Sequence, residues 1–66
     1  MPSLPSIAAE VDALAELISR SRDRLVALTE PLNSSDHEDV LASMYEAERL
    51  LRASERALVR AGRTIR

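Results

Sequence analysis

Asp36, His37, Glu38 and Asp39 form the densest run of metal-ligating and proton-transferring side chains in the sequence. Metal chemistry needs donors that converge on one point, and structural zinc takes four of them in a tetrahedron. Consecutive residues in the first turn of a helix point in different directions, and this run holds one imidazole and no thiolate. The spacing predicts a solvated histidine and no bound metal. Nucleophilic and phosphate chemistry fare no better. The only glycine is Gly62, so there is no glycine-rich phosphate loop, and no serine stands in a nucleophile motif. The other acids fall at outer helix positions, whereas a general acid and base need a concave, partly dry pocket. No enzyme activity, metal or cofactor is expected.

Recognition has better candidates. Arg49, Arg52, Arg56, Arg60 and Arg63 are spaced 3, 4, 4 and 3 apart, which lines them along one outer side of a helix. Glu46 is placed to pair with Arg49 at i,i+3, and Glu48 with Arg52 at i,i+4, while Arg56, Arg60 and Arg63 have no acid within their helix at such spacing. One reading is a solvated stripe at the negative end of a helix dipole. The sharper reading is an electrostatic footprint for an acidic protein surface or a phosphate backbone. Tyr45 and Val59 fall on an adjoining strip with Arg52 and Arg66, a mixed apolar and basic surface suited to docking. A net charge of −2 and a single aromatic residue, Tyr45, argue against base stacking. A protein partner is expected first, and RNA or DNA second.

The elements that carry these side chains are legible in charge and hydropathy. Each half of the chain runs from acid to base: Glu10, Asp12 and Glu16 precede Arg20, Arg22 and Arg24, and five acids from Asp36 to Glu48 precede six arginines from Arg49 to Arg66. That order suits the dipoles of two helices, and laying them antiparallel sets each acidic end beside a basic one. Apolar residues follow a heptad ladder. With a at Leu4, Val11, Ile18, Leu25 and Leu32, position d holds Ile7, Leu14, Ser21 and Leu28; in the second half Met44, Leu51, Leu58 and Ile65 take a, and Val40, Ala47, Ser54 and Ala61 take d. A seam built from a and d is expected, with Ser21 and Ser54 relieving packing or setting register.

Boundaries follow from local chemistry. Ser3 or Ser6 can cap the first helix, with Pro5 in its first turn. Pro31 disfavours helical geometry at Glu30, and Asn33 tolerates a left-handed turn, so the first helix should end near Thr29. Ser35-Asp36-His37-Glu38 reads as a capping box. Gly62 is a plausible stop for the second helix. The expected layout is a lead-in over 1–5, a hairpin over 6–61 with helices near 6–29 and 36–61 around a turn at 30–35, and a tail over 62–66.

Two helices of matched length joined by a short loop should pack antiparallel. Leu17 and Leu50, both at g, are expected to meet across the seam, with Leu41 and Ala57 widening the apolar face. A hairpin cannot cover so wide a stripe, and a chain of about 60 residues buries only about 60% of its unfolded surface. Such small scaffolds need a staple, and this one has no cysteine. An all-α, coiled-coil-like hairpin that pairs with itself into a four-helix bundle is the expected architecture, with Leu17, Leu41, Leu50 and Ala57 at the dimer interface. That plan resembles, in architecture alone, the plasmid copy-number regulators of the ROP type, which bind RNA loop pairs. The start lacks the basic and apolar segments of a secretory signal, and no apolar run approaches the ~20 residues of a membrane span. A cytoplasmic interaction module binding a protein partner in a regulatory or assembly role is the function expected, with a small RNA- or DNA-binding dimer as the alternative.

Overall fold

Ser3 caps the first helix. Its hydroxyl oxygen accepts a hydrogen bond from the Ser6 amide at 3.3 Å, and Pro5 sits in the first turn, where no amide donor is needed. In the computed structural model, which describes residues 3–34 and 36–66, α1 spans Leu4–Thr29. A 3-10 turn covers Glu30–Leu32, and α2 spans Glu38–Ile65. The two helices pack against each other as an antiparallel hairpin: Asp12 pairs with Arg66, Arg22 with Glu55, and the Tyr45 hydroxyl donates to Asn33 Oδ1 at 2.9 Å.

Several boundaries differ from the sequence expectation, each for a local reason. Glu30 keeps α-helical angles (φ −59°, ψ −49°) and the chain tightens into the 3-10 turn, where Pro31 loses no hydrogen bond. Asn33 is not left-handed. It stays right-handed at φ −61° and ψ −28°, and its side chain serves the turn by accepting from Tyr45. The second helix begins at Glu38 with His37 at the N-cap position, so Glu38 is its first residue and not the third that a capping box requires; Ser35 lies outside the described residues. Glu38 and Asp39 still occupy the first turn, where negative charge suits the dipole.

Gly62 does not stop α2, which runs on to Ile65. It is a buried seam residue. A Cβ there would lie 2.8 Å from Asp12 Oδ1 and 3.3 Å from Arg66 Nη1, so the small side chain lets the Asp12–Arg66 pair close over the helix end. Both obstructing atoms are tips of flexible side chains. Gly62→Ala should therefore displace the exposed pair, worth about 0–1 kcal/mol, while gaining about 0.8–1 kcal/mol of helix propensity. The expected thermal midpoint, read by circular dichroism, is unchanged or a few degrees higher; a fall of about 5 °C or more would mean that the backbones themselves are too close for a methyl group.

The largest departure concerns the seam. Its buried residues are Ala8 (3% exposed), Ala15 (7%), Thr29 (5%) and Leu41 (9%), together with Gly62. All five are e positions. They interleave with the half-buried a positions Val11, Ile18, Leu25, Met44, Leu51 and Leu58. Most of the expected d positions instead turn outward: Leu14 is 51% exposed, Leu28 62% and Val40 43%, and Ser21, Ser54 and Ala61 are exposed, while Ile7 and Ala47 stay half-buried. The cause is side-chain size. On a helical wheel e lies about 40° from a, and d about 60° to the other side; on α1 the small residues Ala8, Ala15 and Thr29 at e let the backbones approach where Leu14 and Leu28 at d would hold them apart, and Gly62 does the same at the end of α2. Leu41, expected at a dimer interface, is buried inside the hairpin. Leu17 and Leu50 do not close the seam either, being 55% and 51% exposed.

Three polar side chains are drawn into this narrow seam. Thr29 donates its hydroxyl to the Val26 carbonyl at 2.6 Å. Arg22 Nη1 lies 3.1 Å from Glu55 Oε1, with both side chains about one-quarter exposed. That oxygen is buried and makes no hydrogen bond among the described residues, so Arg22 compensates it by charge at a geometry short of a hydrogen bond. Arg22→Leu should cost about 1–3 kcal/mol by leaving a buried carboxylate oxygen alone. Adding Glu55→Leu should recover most of the loss, since an apolar pair of similar volume replaces a buried ion pair at little cost. Urea unfolding of the two variants checks both signs.

Candidate functional site

The rotation of the seam from a/d to a/e leaves the hairpin with two unlike faces. In an antiparallel pair, the d and g positions of both helices project to one side and the b positions to the other. Leu14, Leu17, Leu28, Val40 and Leu50, five of the eight large exposed hydrophobic side chains among the described residues, are d or g residues. Ala47, Ala57 and Ala61 occupy the same positions on α2. Ser21, Arg24, Leu25, Leu28 and Leu51 border one shallow groove between the helices on this side, and Glu10, Ala13, Leu14 and Leu17 another along α1. Scattered exposed leucines are ordinary, but a contiguous apolar face marks an interaction surface.

The arginines gather elsewhere. Arg52, Arg56, Val59, Arg60 and Arg63 line one open groove with Arg22 and Glu55. Five guanidinium groups there meet one carboxylate, in a chain whose net charge is −2. The stripe divides as the spacing predicts. Arg49 binds Glu46 through contacts of 2.6 and 3.1 Å, and Arg52 binds Glu48 at 2.5 Å. The hydrogen bonds from Arg49, and then its charge, hold the Glu46 carboxyl below the usual carboxylate range. Arg56, Arg60 and Arg63 are exposed and none is ion-paired among the described residues. Arg49 stands outside the groove.

Tyr45 and Val59 do not form one free strip with Arg52 and Arg66. Tyr45 is 51% exposed but spends its hydroxyl on Asn33, and Arg66 is engaged by Asp12. Val59 is half-buried in the arginine groove. Arg22 is the member that sequence reasoning left out. A signal was present, since Arg22 continues the seven-residue series of Ala8, Ala15 and Thr29 that becomes the seam. Among the described residues, no three acidic, histidine or cysteine side chains converge as a metal site, and no helix is long and apolar enough to cross a membrane. No protein-family model, curated protein or solved structure matches this chain.

Proposed function

We propose that the chain is a small helical-hairpin interaction module that pairs with a second copy through its d/g face and presents its arginine groove to a protein partner, in a regulatory or assembly role. The observation that carries the reading is the segregation of surface: most of the large exposed apolar side chains on one face, and in a basic groove three arginines of α2 that make no ion pair among the described residues. Surface economy supports self-association. The chain is an elongated body of 50 × 17 × 14 Å with a radius of gyration of 15.4 Å, against about 11 Å for a compact domain of this length. It exposes 5054 Å², where a compact protein of 7.3 kDa exposes about 4,200 Å². Two copies merging into one compact body would remove about 3,000 Å² from water by the same scaling, more than the ~1,200–2,000 Å² of a stable interface.

The partner class follows from charge and composition. An arginine track beside Val59 suits an acidic surface with an apolar anchor, whereas single-strand recognition uses aromatic platforms that this face lacks. Affinity capture from host extract, with and without nuclease, tests the reading alongside sedimentation of the purified chain. A dimer whose partners survive nuclease is the expected result. Partners lost on nuclease treatment would replace the protein partner with RNA or DNA, and a monomer at micromolar concentration would remove the self-pairing.

A further inference from the structure

The d/g face is self-complementary, and its pattern names both the occupant and its direction. Across both helices the d and g positions carry only two charges, Glu10 and Arg24, both at g on α1. They have opposite sign and stand seven residues to either side of Leu17, which is 55% exposed. Both are exposed and neither is ion-paired among the described residues. An ion pair between them within one helix is impossible, because they are about 21 Å apart along its axis. Two isolated, opposite charges on an otherwise uncharged surface are costly to bury unless each meets a partner.

We propose that a second copy docks on this face with its α1 antiparallel to the first α1, about a two-fold axis through Leu17. This rests on the self-pairing proposed above and specifies its geometry. Antiparallel helices set g against g and d against d, so the axis brings Leu17 against its own copy and Glu10 against Arg24 of the second copy, twice over. The d residues then pair Ile7 with Leu28 and Leu14 with Ser21, a large side chain meeting a large or a small one without a clash. On α2 the nearby residues are small. Gly62 is level with Asp12 and Glu55 with Arg22, so Ala57 lies about level with Leu17, and Ser54, Ala57 and Ala61 let α2 approach its own copy closely. The competing arrangement, α1 against the second copy's α2, sets Leu17 against the small residues of α2 and leaves Glu10 and Arg24 without partners.

Charge reversal separates the two. Glu10→Arg places arginine against arginine, and Arg24→Glu places glutamate against glutamate, each twice per dimer. Each single variant should self-associate about 30-fold more weakly in sedimentation equilibrium at low salt, with the deficit shrinking in 1 M salt. Mixing the two variants should restore assembly as a heterodimer, and the Glu10→Arg, Arg24→Glu double variant should restore the homodimer. The chain has no native cysteine, so Leu17→Cys supplies a unique thiol that should oxidise to a disulfide-linked dimer. If the wild type is a dimer but the single reversals associate normally, and Leu17→Cys cross-links only when Ala57→Cys is also present, this geometry is overturned while the interaction module stands. A monomeric wild type overturns both.

Discussion

Replacing Leu17 and Leu50 together by glutamate should convert the proposed dimer into a monomer that keeps its helical hairpin. Both leucines are more than half exposed, so the isolated hairpin loses little packing when they change. The assembled face loses much more. Burying a leucine contributes about 1.5–3 kcal/mol, and a two-fold dimer loses four of them while gaining four carboxylates beside an apolar interface. Because each leucine is only about half exposed beforehand, the low end for four of them is about 3 kcal/mol, or roughly a 100-fold weaker association, before the cost of the four carboxylates is added. Light scattering reads the mass and circular dichroism the helicity. A double variant that remains fully dimeric, with the wild-type melting temperature, would place the interface elsewhere.

Reversing Arg56 and Arg60 to glutamate should reduce capture of the proposed partner by about 100-fold or more, because neither is ion-paired among the described residues and charge reversal replaces attraction with repulsion. The hairpin should be unaffected, since neither side chain enters the seam. Salt dependence identifies the partner class. Contacts to Z phosphates of a duplex give a log-log slope of about −0.9Z, which the reversal should flatten; an acidic protein surface should give a shallower slope. Wild-type capture by the reversed protein would reduce the stripe to a solvated face and move attention to Tyr45 and the apolar side.

The sequence by itself determined the elements and their short-range pairs. Helix formation, the break near Pro31 and the antiparallel direction follow from patterns within a few residues: heptad spacing, a cap at Ser3, and charge that runs from acid to base in each half. The Glu46–Arg49 and Glu48–Arg52 pairs follow equally, because helical geometry alone brings i,i+3 and i,i+4 side chains together. Tertiary structure decided which stripe faces inward. Hydropathy favours d, which carries no charge, over e, which carries Arg22, Glu48 and Glu55; only the distance between two backbones makes the small e residues Ala8, Ala15, Thr29 and Gly62 the seam and sends Leu14, Leu28 and Val40 outward. The same choice carries α2 through Gly62, because a residue that reads as a helix stop in isolation becomes the gap that admits Asp12. It also turns Arg22 from a surface charge into a member of the arginine groove, since its place beside Glu55 depends on the register between helices, a long-range quantity that no local pattern contains.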